Sequence, residues 1–253
     1  MRIEFIVMKL IASKIKIPAE TPLVCRQGLL DTLRENLESC HATIIDGRAG
    51  TGKTMLAVDF VRRYVRLAAW YKVDAPDLSL PVFIEYLVAS VATVRPGFGR
   101  QTLERLAQSH ETGIAEGGVE FDIAGLAEAF VYDLERQAEL LVLVIDDLHL
   151  IYGADWVTPF FHRLLPLLPA DIHMLIVGRG LPPAPMWRLR SKQRLLVIDE
   201  HMLAFTQTEA EVLFSGYGLG AEEARSALLR TGGRAAGLHA AAIRAFVDSA
   251  DQS

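Results

Sequence analysis

The chain is poor in cysteine: Cys25 and Cys40 are the only two in 253 residues. Their spacing fits neither a zinc-ligand set nor a disulfide framework, so we interpret both as reduced thiols. Apolar runs near the roughly 20 residues of a membrane-spanning helix are also missing. Residues 1–17 mix apolar and basic side chains, and Lys9 interrupts the apolar core that a secretory signal would need. These absences predict a cytoplasmic protein with no membrane partner.

The chain also lacks an excess of positive charge, with 26 Lys and Arg against 31 Asp and Glu and a net charge of −5. This balance gives no overall electrostatic signature of nucleic-acid binding. The alternative of a local basic patch on the surface is compatible with the same net charge. A composition that is 51% hydrophobic and 23% charged is typical of a packed globular protein. The length permits one large α/β domain with a small helical appendage.

Residues 47–54, which we call the glycine loop, fit the phosphate-binding pattern G-x-x-x-x-G-K-[ST] with no mismatch. An apolar run at 42–45 precedes the loop and a helical pattern at 55–61 follows it, which favours a phosphate site over a plain glycine turn. Loop N–H groups and the helix N-terminus would face the phosphates. Lys53 would reach the β- and γ-phosphates, and the hydroxyl of Thr54 would bind Mg²⁺. The predicted cofactor-binding residues in this loop are Gly47, Arg48, Ala49, Gly50, Thr51, Gly52, Lys53 and Thr54.

A second feature is the pair Asp146 and Asp147, which follows six consecutive apolar residues at 140–145. Such a run is typical of a central strand in a parallel sheet, and its carboxyl end lies at the edge where ligands of α/β sheets bind. We predict Asp146 as a ligand of Mg²⁺ together with Thr54. Asp147 is a candidate general base for the attacking water, with a solvated loop carboxylate as the alternative.

An arginine, Arg179, follows another predicted core strand at 174–177. From the same sheet edge it could contact a γ-phosphate, and the alternative is a surface arginine that pairs with Asp146 or Asp147. We interpret His149 as a polar loop residue rather than a catalyst.

Strand-like and helical segments alternate along residues 23–200, which predicts a parallel sheet with right-handed crossovers. The predicted strands are 42–45, 70–73, 140–145, 172–177 and 195–198. We expect the helix after the glycine loop to continue to about Ala69, and only a short helix, 101–108, within the segment 95–118, which is rich in glycine and polar residues. The fold class is therefore α/β: a three-layer P-loop NTPase sheet with helices on both faces, followed by a small helical subdomain. The predicted divisions are an N-terminal extension (1–22), the NTPase domain (23–200) and the helical subdomain (201–253).

Taken in order, these segments resemble the ATPase module of large LuxR-type transcriptional activators related to the maltose-regulon activator, members of the STAND class of signal-transducing ATPases. The segments LVIDDLH (143–149) and LAFT (203–206) are the most specific. The other matching segments are 13–18, 24–26, the glycine loop, 70–74, 179–183 and 231–238.

The resemblance implies a nucleotide between the P-loop domain and the helical region, with ADP favouring a closed monomer and ATP together with an inducer favouring self-association. It implies ATP or ADP and Mg²⁺ as cofactors, slow hydrolysis, and association of the chain with itself or with a larger regulator. It implies that Lys53 and Thr54 contact phosphate and Mg²⁺, that Asp146 binds the metal, that Arg179 acts as the sensor, and that Arg26 lies beside the base. Together with the candidate base Asp147, the predicted catalytic residues are therefore Lys53, Asp147 and Arg179.

Two departures from the family pattern stand out. Arg234-Ala235 occupies a position where the family commonly has Trp-Pro, which weakens the expectation of nucleotide-dependent closure onto the helical region. The sequence also ends at Ser253 without inducer-sensing repeats or a helix-turn-helix, so we expect no DNA-binding domain in this chain. The leading hypothesis is a regulatory ATPase switch. The alternatives are a nucleotide-binding interaction module without turnover and a small-molecule kinase.

Overall fold

A computed structural model of the chain describes residues 10–37, 39–116, 121–135, 139–180 and 195–250. The extreme N-terminus (1–9) and the 181–183 part of the family-like segments lie outside these ranges.

Five strands form one parallel sheet. They are β1 (Ala42–Asp46), β2 (Leu67–Lys72), β3 (Leu141–Asp146), β4 (Ile172–Gly178) and β5 (Leu195–Ile198). The order across the sheet is β2-β3-β4-β1-β5. Since every strand runs the same way, all carboxyl ends meet at one edge. β4 lies between β1 and β3, so the chain leaving β4 emerges between the glycine loop and the acidic pair.

Helices cover both faces of the sheet, because successive strand residues point to opposite sides. Leu143 and Ile145 belong to one apolar core, while Val142 and Val144 belong to the other. The first core includes side chains of α3 (Leu80–Ala92), α5 (Ile123–Leu134) and α6 (Val157–Leu167), and the second includes α1 (Gln27–Asn36) and α2 (Lys53–Tyr64). The predicted three-layer α/β fold is confirmed.

The helix after the glycine loop is shorter than predicted. It ends at Tyr64 rather than near Ala69, because Val65 is already extended and β2 begins at Leu67. The β-branched Val65 suits this break, since such side chains favour extended backbone.

In contrast, α4 (Arg100–Glu116) is longer than the predicted 101–108 helix. The carboxylate of Asp133, on α5, accepts hydrogen bonds from the backbone N–H groups of Gln101 and Thr102 at 3.3 and 2.9 Å. These bonds cap the amino-terminal end of α4, whereas the additional length lies at its carboxyl end, beyond residue 108.

Three further helices, α7 (Gln207–Ser215), α8 (Ala221–Thr231) and α9 (Ala235–Ala250), share a core of their own. The segment that precedes α1 is tied to the rest of the molecule at both ends. Lys14 Nζ lies 2.6 Å from Asp77 and 2.9 Å from Asp74, and Val24 packs into the core of the three helices. Among the helices of the described ranges, none combines the length and the apolar character needed to cross a bilayer.

Candidate functional site

The glycine loop connects β1 to α2 at the carboxyl edge of the sheet. Gly50 and Gly52 have φ values of +77° and +90°, a left-handed conformation that residues with a Cβ adopt at a cost. Lys53 is the first residue of α2, and its Nζ donates hydrogen bonds to the carbonyl oxygens of Gly47 (2.6 Å) and Arg48 (2.8 Å). Burial, reinforced by the nearby charge of Arg179, lowers the pKa of the Lys53 ammonium. The loop thus curls around a buried cation.

The hydroxyl of Thr54 donates to both carboxylate oxygens of Asp146, at 3.1 and 3.2 Å. Asp146 is fully buried, and burial together with the negative charge of Asp147 raises its pKa to about 6. A hydroxyl and a carboxylate in contact are oxygen ligands of the kind that Mg²⁺ prefers. In the described part of the chain, no ion pair joins this carboxylate to a lysine or arginine side chain. The residues therefore fit a divalent cation, which Thr54 and Asp146 would hold.

Asp147 has φ +60° and is the one non-glycine residue with positive φ in the described part of the chain. This conformation turns the backbone from β3 into the 3₁₀ turn Leu148–Ile151. The Asp147 carboxylate is partly exposed, 4.0 Å from Lys72 Nζ and 3.9 Å from Nδ1 of His149. Within the described residues this Nδ1 is buried without a hydrogen-bond partner, and burial lowers the pKa of the His149 ring. Asp147 is thus positioned by a left-handed backbone turn, in which its carbonyl oxygen accepts a hydrogen bond from the N–H of Leu150 at 3.0 Å.

Arg179 is exposed at the end of β4 and lines a small opening of about 400 Å³ that several charged residues border. No ion pair joins it to Asp146 or Asp147 within the described residues, so the predicted alternative of a surface pair with these carboxylates is not seen. The neighbouring backbone is fixed by Asp46, whose carboxylate accepts the N–H of Gly180 at 2.7 Å. The other residues that line this opening are Gly47, Arg48, Ala49 and Glu200.

A larger and mostly apolar cleft of about 470 Å³ opens on the other side of the glycine loop. Its size lies within the range of small-molecule and cofactor sites. Three parts of the chain form its walls: the segment before α1, the start of α2, and the helical region. The lining residues are Glu20, Thr21, Pro22, Leu23, Val24, Arg26, Gly50, Gly52, Met55, Leu56, Asp59, Phe205, Leu213, Ala235, Ala236 and His239.

Arg26 lines the cleft but directs its guanidinium into the protein. It donates to the carbonyl oxygens of Leu203 (2.9 Å) and Ala204 (3.0 Å) and pairs with Glu209 at 3.3 Å. Its guanidinium also stacks 4.6 Å from the ring centre of Phe205. Arg26 therefore joins two walls of the cleft.

The helical region touches the glycine loop directly. The N–H of Ala236, in the first turn of α9, donates to the carbonyl oxygen of Gly50 at 2.8 Å. A Cβ added at Gly50 would lie 2.7 Å from the Cβ of Ala236, and one at Gly52 would lie 3.4 Å from that of Ala235. The small side chains of Ala235 and Ala236 thus permit this close contact.

Polar residues of the cleft that were not predicted from the sequence include Asp59 and His239. Asp59 lies three residues after Leu56, so the helical spacing places it on the same inward face of α2. An acidic residue on that face could have indicated a ligand contact. His239 gave no signal, because only the packing of α9 against the loop brings it to the cleft.

Comparison with known proteins agrees with this geometry. Residues 22–177 match the AAA ATPase domain family. The chain is 29% identical over 206 residues to the HTH-type transcriptional regulators MalT of Serratia proteamaculans and Yersinia enterocolitica, covering 81% of this chain. It spans 22% of the length of these relatives.

Two solved structures share the fold. A Walker-type ATPase of Pyrococcus abyssi has a TM-score of 0.54 at 11% identity and covers 92% of this chain and 75% of its own. A STAND protein with a tetratricopeptide repeat sensor from Pyrococcus horikoshii has a TM-score of 0.54 at 16% identity and covers 85% of this chain and 29% of its own. The resemblance predicted from the ordered motifs is therefore confirmed, and the chain belongs to the AAA ATPase domain family.

Proposed function

We propose that this chain is an ATP-binding, Mg²⁺-dependent and slowly hydrolysing switch module of a transcriptional regulator. The observation that carries the proposal is the contact between Thr54 and Asp146, which brings the glycine loop and the end of β3 together. The relationship to MalT regulators supports a regulatory role rather than a metabolic one.

The nucleotide would lie across the glycine loop, with its phosphates on the loop and its base in the apolar cleft. Lys53 would exchange its bonds to Gly47 and Arg48 for bonds to phosphate oxygens, which favours its charged form. Bound Mg²⁺ would supply positive charge to the phosphates, and Thr54 and Asp146 would hold it.

Three further side chains would complete the reaction site. Asp147 would orient a water molecule and accept its proton, because its carboxylate is accessible next to the metal ligand. Arg179 would contact the γ-phosphate from the small opening, at the end of the strand between β1 and β3. Arg26 would lie beside the base, where it would hold two walls of the cleft together.

The contact of α9 with Gly50 supports the switch. A nucleotide changes such an equilibrium only if it binds the two forms with different affinity. ADP would favour the form with α9 against the loop, and ATP would favour release and self-association or association with a larger regulator. Size-exclusion chromatography with ADP and with a non-hydrolysable ATP analogue tests this, and identical elution would argue against nucleotide-driven assembly.

Titration of ATP and Mg²⁺ into the wild type and Lys53→Ala, with phosphate release measured in parallel, tests the site itself. We expect micromolar binding and slow release in the wild type, and loss of both in the variant. Lys16→Ala, at an exposed lysine, is the matched control. Unchanged affinity in Lys53→Ala would refute the site. Binding without release would favour the interaction module, and phosphate transfer to a small acceptor would favour the kinase.

A further inference from the structure

We propose that Asp59 determines the base specificity of the cleft by accepting a hydrogen bond from the exocyclic amino group of adenine. The inference rests on the proposed function, since it assigns a ligand contact within the same site. Asp59 would select the base of the nucleotide, whereas Lys53, Thr54 and Asp146 would bind its phosphates and the metal ion.

Asp59 is buried, with 5% of its surface exposed, and it lines the apolar cleft from α2. Its Oδ1 accepts one hydrogen bond, from Nε of Arg63 at 2.6 Å. Within the described residues, no other donor hydrogen-bonds to this carboxylate. A carboxylate can accept about four hydrogen bonds, so Asp59 retains acceptor capacity toward the cleft.

The ion pair with Arg63 does not explain why Asp59 is buried. Arg63 lies one helical turn further along α2 and is about half exposed. Pairs of this spacing form on the exposed surfaces of helices and contribute little. Taking a carboxylate out of water costs more than such a pair returns. Burial at the cleft wall is therefore better explained by a ligand that donates to this carboxylate.

The position of Asp59 along α2 matches the base rather than the phosphates. It lies six residues beyond Lys53, which is about 9 Å along the helix axis. A nucleotide with its phosphates on the glycine loop would pass Met55 and reach the level of Leu56 and Asp59 with its base. Phe205 and His239 contribute aromatic rings to the cleft, and such rings suit a planar heterocycle.

An acceptor at this position discriminates between purines by their substituent at C6. Adenine carries an amino group there, which donates to the carboxylate. Hypoxanthine carries a carbonyl oxygen, which would face the carboxylate as a second acceptor and leave Asp59 without a donor. Sites that hydrogen-bond one substrate group reject analogues that lack it. The same reasoning disfavours guanine at C6.

Calorimetric titration of ADP and IDP, in the presence of Mg²⁺, tests the inference without hydrolysis. For the wild type we expect ADP to bind roughly 10- to 100-fold more tightly than IDP, the range for one hydrogen bond to a charged group. In Asp59→Asn, whose amide can donate as well as accept, the ratio should fall to about 3-fold or less. Arg63→Gln removes the ion pair and keeps the carboxylate, so it should retain the wild-type ratio.

Several outcomes would overturn the assignment. One is an ADP to IDP ratio in Asp59→Asn equal to that of the wild type. A second is a wild type that discriminates against 2′-deoxyADP while Asp59→Asn does not, since the carboxylate would then serve the ribose. Asp59→Ser, with folding checked by circular dichroism, provides a second variant if the asparagine form does not fold.

Lys53→Ala separates this inference from the proposed function. If that variant loses ADP and IDP alike while the ratio is insensitive to position 59, the nucleotide site stands and the role of Asp59 is refuted. If Lys53→Ala binds both nucleotides normally, the proposed function itself fails.

Discussion

The carbonyl oxygen of Gly50 accepts a hydrogen bond from the N–H of Ala236 at 2.8 Å, so the last helix of the described chain contacts the glycine loop. The contact depends on the absence of a side chain at Gly50, because the gap to the Cβ of Ala236 is too small for a methyl group.

We therefore expect Gly50→Ala to displace α9 from the loop. Small-angle scattering should show a larger radius of gyration for the variant, and nucleotide affinity should fall with it. Gly97→Ala is the control, because Gly97 has a similar φ of +80° and open space around it. Both substitutions cost about 1 kcal/mol of backbone strain, so an equal expansion in the control would contradict the steric explanation.

Asp146 predicts a pH dependence of stability. Its pKa rises from the ordinary 3.8 to about 6 on folding. Between these values the folded state holds more protons than the unfolded state, so the contribution to stability is present at low pH and is lost as the pH rises through about 6. Asp146→Asn should then raise the free energy of unfolding by up to about 3 kcal/mol at pH 8 and by little near pH 4.

Urea denaturation in EDTA without nucleotide measures this effect. Asp248→Asn, at an exposed carboxylate on α9, should change the free energy of unfolding by less than about 0.5 kcal/mol at either pH. If Asp146→Asn changed the free energy of unfolding equally at both pH values, burial would not raise the pKa of this carboxylate.

The backbone at Asp147 predicts a ranking of substitutions. Asparagine tolerates φ +60° about as well as aspartate does, and glycine tolerates it better, whereas alanine does not. We expect Asp147→Asn and Asp147→Gly to retain stability and Asp147→Ala to lose about 1 kcal/mol, as measured by urea denaturation. Of the stable variants, Asp147→Asn should bind ATP normally but release phosphate more slowly. Undiminished release would remove Asp147 from the reaction.

From the contacts of Arg26 we expect that the helical region stays attached only if a guanidinium group makes several bonds at this position. Lysine cannot reproduce two carbonyl bonds together with the pair to Glu209. Arg26→Lys should lower the free energy of unfolding by about 2 kcal/mol, with earlier proteolytic cleavage near residues 200–206. Arg34→Lys, at an exposed arginine that pairs within α1, should behave like the wild type. Equal protease resistance in both variants would show that Arg26 does not hold the walls of the cleft.

Much of this molecule followed from local pattern. The glycine loop, the apolar run before Asp146 and the strand before Arg179 are each encoded by consecutive residues, so the parallel sheet and the placement of these residues at its carboxyl edge could be predicted. The predicted end of α2 was about one turn too late, because Val65 and Arg66 are compatible with either a helix or an extended chain. The predicted carboxyl end of α4 fell eight residues short, at 108 instead of 116, because the glycine and polar residues of this segment favour a loop when only local sequence is considered.

The sequence by itself determined the fold class, the family and the identity of the residues at the sheet edge, since spacing along the chain carries that information. Only the tertiary structure decided that Arg26 joins two walls, that Ala236 reaches Gly50 and that Asp59 faces an apolar cleft. Each of these depends on residues far apart in the chain approaching within a few ångströms. That approach is set by how the helical region packs against the loop, and no local pattern encodes it.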